Sequence, residues 1–262
     1  RRDLRPRARR DAVTRIVAVA GKGGTGKTTT AALIIRHLLK SGKVPLLAMD
    51  ADPNANLAES LGATVNDTIG TVLSDFMRDR ARVPAGMTKQ SYLDLKFHQI
   101  LKEGKDMDML VMGCPDGPGC YCAANSILKD YFEHLSKNYK YVVVDNEAGM
   151  EHFSRKTAAR IDTLIFCSNY SLKGLKTVKT IAGLVKDLRI EVGERYLLVN
   201  RTPETLEQQF LDGIEDTGIP FLGHTVMDTE IEESEIRNVP LLDLPDSSKT
   251  VRRFEEMLGR IL

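Results

Sequence analysis

What this 262-residue chain has little of narrows it first. Lysine and arginine outnumber aspartate and glutamate by 37 to 36, so net charge gives no ground for a nucleic-acid partner or an anionic membrane surface. No apolar run approaches the roughly 20 residues needed to cross a bilayer, and no membrane partner is expected. Four cysteines are too few for a disulfide framework in a chain of this kind and read as metal-binding, catalytic or buried. No repeat, low-complexity stretch or linker divides the chain, which predicts one cytoplasmic domain over residues 16–262. Residues 1–15 stand apart. Arg1, Arg2, Arg5, Arg7, Arg9, Arg10 and Arg15 have no apolar segment behind them, which excludes a secretory signal. They read as a disordered leader or an over-extended start, in preference to a nucleic-acid-binding arm.

The stretch Gly21-Lys22-Gly23-Gly24-Thr25-Gly26-Lys27-Thr28 carries the most chemistry. It follows the apolar run Ile16–Ala20 and opens a helix-like segment from Thr29 to Leu39, the context a phosphate-binding loop requires. Its glycines let backbone wrap a polyphosphate where a Cβ would clash. Its N–H groups and the helix N-terminus favour anions. Lys27 is expected on the β- and γ-phosphates and the Thr28 hydroxyl on Mg²⁺.

Further apolar runs predict an α/β fold: a single P-loop NTPase domain with a mostly parallel twisted sheet and helices on both faces. Strands are expected at Val44–Met49, Asp108–Met112, Tyr141–Asp145, Thr163–Cys167, Tyr196–Val199 and Phe221–Met227, with a short one near Tyr92–Phe97. Helices are expected at 56–61, 69–80, 123–137 and 172–188. A last helix carries Val251, Phe254, Leu258, Ile261 and Leu262 on one stripe facing the core. Phe76 and Met77 read as packing, and Cys167, inside a strand, as a small buried hydrophobe. Asp50 and Asp52 end the second strand beside the phosphate loop, where α/β sheets keep ligands; both can instead cap the next helix. Asp145 ends another apolar run and is placed to hold Mg²⁺ through water.

With Lys22 early in the loop, the chain resembles the deviant Walker A ATPases: MinD, ParA, the nitrogenase iron protein and the nickel-insertion ATPases. The resemblance implies ATP/ADP as the nucleotide. It implies that Lys22 reaches the phosphates of a partner subunit and that Asp52 orients the attacking water. It also implies a place for Asp50 in the Mg²⁺ shell. Asp145-Asn146-Glu147-Ala148-Gly149 resembles switch II, with the Gly149 N–H sensing the γ-phosphate. Asn200, followed by Arg201, would bond the adenine; a plain strand-ending turn is the alternative.

Cys120-Tyr121-Cys122 is the departure from a generic member. Two thiolates one residue apart can bind one metal, but a soft divalent ion wants four ligands, and no second pair exists nearby. A symmetric homodimer supplies it: two copies of Cys120 and Cys122 make a four-thiolate site that suits Zn²⁺, Ni²⁺ in a square-planar arrangement, or an iron–sulfur cluster. Structurally inert cysteines are the alternative. The segments Gly119–Ser126 and Asp145–His152 are similar to the CooC-type ATPases. That resemblance implies an ATP-hydrolysing metallochaperone serving a client nickel enzyme, carbon monoxide dehydrogenase or acetyl-CoA synthase. The nitrogenase iron protein fits less well, since no cysteine lies between Asp145 and Arg160.

Overall fold

The computed structural model describes residues 13–52, 54–79, 83–113, 122–147 and 160–262. Seven parallel strands form one sheet: β1 (Arg15–Gly21), β2 (Leu46–Asp50), β3 (Met107–Val111), β4 (Tyr141–Asp145), β5 (Arg160–Asn169), β6 (Glu191–Thr202) and β7 (Phe221–Val226). They lie in the order β3-β2-β4-β1-β5-β6-β7. Every pairing between these strands is parallel, and the described helices cover both faces of the sheet. That is why the strands read as unbroken apolar runs and not as alternating ones.

Alternate residues of β1 serve two cores. Ala18 and Ala20 pack on one face under α3 (Ile69–Arg78), α4 (Lys89–Ile100), α5 (Cys122–Ser136), α6 (Leu172–Asp187) and α7 (Gln208–Asp216). Val17 and Val19 pack on the other, under α1 (Lys27–Lys40), α2 (Asn56–Ser60) and α9 (Lys249–Leu258). A short α8 (Thr229–Arg237) precedes α9. Val251, Phe254, Met257 and Leu258 of α9 are all buried; the terminal stripe faces the core, as its period predicts. Buried Arg36 of α1 fastens that end of the chain: it donates to the Leu244 carbonyl at 2.8 Å and pairs with Asp246 at 2.5 Å. His37 of the same helix meets Glu255.

The expected strand near Tyr92–Phe97 is corrected by the structure. Those residues lie in α4, capped by Thr88, whose hydroxyl accepts from the Ser91 N–H. Leu93 and Phe97 are fully buried. Their spacing of four is one helical turn, which a two-residue alternation also satisfies. Cys167 is buried as expected, and burial pushes its thiol up to about 12. Among the described residues no helix is long and apolar enough to cross a membrane.

Candidate functional site

The carboxyl ends of β1, β2, β4 and β6 bring the candidate residues together. The turn after β1 is built on two left-handed glycines, Gly24 (φ 77°) and Gly26 (φ 78°), a conformation that a side chain would strain. Gly21 is required by contact instead: a Cβ there would meet the Cys167 carbonyl oxygen of β5 at 2.4 Å. Gly26 caps α1 without a side-chain hydrogen bond, and no acidic residue sits in the first turn. The helix therefore offers its first N–H groups, and its dipole, to an anion. Lys27, the first helical residue, is 7% exposed, whereas Lys22 is exposed.

Next to this cradle the Thr28 hydroxyl donates to Asp145 Oδ2 at 2.6 Å. Asp145 is fully buried, and among the described residues its Oδ1 has no hydrogen-bond partner. Burial, helped by repulsion from Asp50, pushes Asp145 up to about 7 despite the Thr28 bond and the Lys27 charge. Asp50 lies opposite it in the β2–β4 register and is equally buried. Burial lifts Asp50 to about 6, against two bonds it accepts from backbone, Leu57 N–H at 2.8 Å and Asp52 N–H at 3.0 Å. The Leu57 bond means that Asp50 holds the first turn of α2 as well as facing the site. Two buried carboxylates, one with an orphan oxygen beside a hydroxyl, fit a hard divalent cation such as Mg²⁺. Asp52, half-buried, accepts from both the backbone and side-chain N–H groups of Asn54 at 2.9 Å.

A second part of the site lies beyond Gly26, in a cleft lined by Thr29, Asn200, Arg201, Thr225, Asp228 and Glu232, among others. Asn200 ends turned toward the loop: its Nδ2 donates to the Thr25 carbonyl at 2.9 Å, and its Oδ1 accepts from Thr225 at 2.9 Å. Arg201 follows in a left-handed conformation (φ 58°) and is exposed. Asp228 receives the Glu230 N–H at 2.9 Å, the Thr250 N–H at 3.2 Å and the Ser248 hydroxyl at 3.4 Å. Burial alone would raise its carboxyl; these donors hold it below the usual range.

In the sequence Thr225 carries no signal of its own, whereas Val226-Met227-Asp228, at the end of the last expected strand, is expected near the base. The available signal is position: Thr225 lies at the end of β7 and Asp228 two residues beyond it, both beside the end of β6. Asn146, expected as part of switch II, is tied back to β1 through its Nδ2 and the Val19 carbonyl at 3.0 Å. Gly149 and Cys120 lie outside the described residues, and Cys122 enters them as the first residue of α5. Among the described residues no group of three or more histidine, cysteine or acidic side chains is placed to hold a metal.

Comparison with known proteins agrees with this geometry. Residues 16–241 match the CbiA family, the CobQ/CobB/MinD/ParA nucleotide binding domain. An uncharacterised ATP-binding protein of Methanocaldococcus jannaschii is 37% identical over 94% of this chain and 98% of its own length. The carbon monoxide dehydrogenase accessory protein CooC of Rhodospirillum rubrum is 31% identical over 67% of this chain and 70% of its own. Among solved structures, the septum site-determining protein MinD of Pyrococcus horikoshii, complexed with Mg-ADP, superposes with a TM-score of 0.69 at 20% identity, covering 95% of this chain and 96% of that one. A likeness at that identity concerns the fold. The chain is thus a member of the CobQ/CobB/MinD/ParA family of nucleotide-binding domains.

Proposed function

We propose that this chain is an ATP-hydrolysing, homodimeric metallochaperone that assists nickel insertion into carbon monoxide dehydrogenase or acetyl-CoA synthase. The observation that carries the reading is the Cys120-Tyr121-Cys122 motif, whose Cys122 is the first residue of the 15-residue α5, a position where the helix dipole favours a thiolate. The 31% identity to CooC supports it. Lys27, Thr28, Thr29 and the N–H groups of 21–28 hold the phosphates. Thr28 and Asp145, with Asp50 close by, would hold Mg²⁺, which when bound neutralises charge on the β- and γ-phosphate oxygens. Exposed Lys22 extends to the phosphates of the second subunit, and Asp52 orients the attacking water. Cys120 and Cys122 of both subunits hold the cargo ion, nickel or zinc. Because that site spans the two-fold axis, nucleotide-dependent closure of the dimer alters its ligand geometry.

The test is metal content and subunit stoichiometry with and without Ni²⁺ or Zn²⁺. One metal per two chains, lost in Cys120→Ser while ATP binding persists, is the expected result. Unchanged metal stoichiometry in that variant would sink the reading.

A second reading is a MinD/ParA-like positioning ATPase with nucleotide-gated binding to membrane or DNA. It rests on 24% identity to MinD of Bacillus subtilis over 94% of this chain. ATP-dependent co-sedimentation with liposomes or DNA, together with absence of bound metal, would establish it in place of the first.

A further inference from the structure

The end of β6 makes a contact that reading a base does not require. Asn200 Nδ2 donates to the Thr25 carbonyl at 2.9 Å and lies 3.3 Å from Thr30 Oγ1. Thr30 itself donates to the Gly26 carbonyl at 2.7 Å. The orientation of the amide is chemically unambiguous. A backbone carbonyl only accepts, so the atom facing Thr25 O is the nitrogen; Oδ1 then receives the Thr225 hydroxyl at 2.9 Å. Asn200 is buried, 7% exposed, and a Cβ on Gly26 would stand 3.0 Å from its Nδ2. The amide is wedged against the last turn of the phosphate loop.

The consequence follows from peptide geometry. In a trans peptide the C=O and the following N–H point in opposite directions. Drawing the Thr25 carbonyl toward Asn200 turns the Gly26 N–H to the opposite side, which on the nucleotide reading is the side of the phosphates. We propose that Asn200 is a positioning residue of the phosphate loop, held in register by Thr225, and that the β6–β7 edge thereby sets the aim of the loop's N–H groups. This rests on the nucleotide reading above and adds to it a task at the phosphate end of the site. An adenine contact through the second lone pair of Oδ1 is compatible with that task, since Nδ2 is engaged elsewhere.

The discriminating probe is a ligand with phosphates and no base: magnesium tripolyphosphate, titrated by calorimetry beside Mg-ATP. Asn200→Leu keeps the branched shape and neutrality but lacks the donor; Thr225→Val keeps the loop contact but releases the amide. Asn200→Leu is expected to weaken tripolyphosphate and ATP in parallel, each roughly tenfold, and to lower kcat at saturating ATP. Thr225→Val is expected to do the same at about threefold, and it serves as the measure if Asn200→Leu fails to fold. A base-contact role alone would weaken ATP, raise its KM and leave tripolyphosphate affinity unchanged; that result would overturn the proposal. If the wild-type chain bound neither ligand, the nucleotide reading itself would fall, which is a different outcome.

Discussion

Asp145 and Asp228 stand at opposite ends of the site and differ in what surrounds them. Asp228 collects donors from the Glu230 and Thr250 N–H groups and from Ser248, and is held in its ionised form. Asp145 is more deeply buried, receives one hydroxyl, and is lifted to about 7. The Asp228 end of the site is thus satisfied by the protein's own groups, whereas the loop end carries unmatched charge capacity of both signs. It has an uncapped helix N-terminus and a buried lysine on one side, and an orphan carboxylate oxygen on the other. An aspartate with its own donors is architecture. One buried with a single donor is costly to ionise alone, a cost that a cation at its open oxygen would offset.

The largest effect expected from this contrast is at Lys27. Lys27→Ala removes the only loop cation that is buried, and triphosphate affinity is expected to fall roughly 100-fold, near the upper end for a hydrogen bond to a charged group. Calorimetry with Mg-ATP checks it, and intact binding would contradict the phosphate-loop assignment. A smaller effect separates the two aspartates. In the wild type, chelation of Mg²⁺ is expected to weaken ATP binding about tenfold, an amount in the range of one charge-assisted contact. Asp145→Asn should abolish that dependence; Asp228→Asn should keep it and instead destabilise the fold by about 1–3 kcal/mol, through donors left without a carboxylate. Equal Mg²⁺ dependence in both variants would erase the distinction between them.

The sequence makes the phosphate end readable for a local reason. A buried strand ending in glycines or a carboxylate next to an apolar helix leaves few alternatives, and β1, β2 and β4 all end that way. What it hides is whatever depends on register between distant strands. Asn200 and Thr225 are 25 residues apart and meet only because β6 pairs with β7, so the expected contact of Asn200 with a base was visible while its bond to the loop was not. Asp50 shows a second limit: capping and a place at the site, weighed as alternatives, are compatible, because one carboxylate accepts the Leu57 N–H while standing in register with Asp145. Tyr92–Phe97 shows a third. Apolar residues at 93 and 97 satisfy a two-residue and a four-residue period alike, and the Thr88 cap decides for the helix.

The smallest expected effect concerns stability against pH and tests whether burial outweighs the Lys27 charge at Asp145. Its folded value, about 7, lies above the ordinary 3.8. Between those limits the unfolded chain has released its proton while the folded protein retains it, so stability from this group falls as pH rises and levels off above about 7. Asp50, lifted to about 6, acts in the same direction over a narrower window. His224 opposes both: burial and the Arg253 charge hold its ring below its usual value, so it loses stability as pH falls through 6.5. Comparing wild type with Asp145→Asn cancels the histidine. The variant's melting temperature, without nucleotide or Mg²⁺, should match the wild type near pH 4 and exceed it increasingly toward pH 8. Each kcal/mol corresponds to roughly 2–4 °C in a chain of this size. Saturating Mg-ATP should reverse the order at pH 8, because only the wild type gains the cation. A difference independent of pH would mean that Asp145, like Asp228, is already satisfied by the protein.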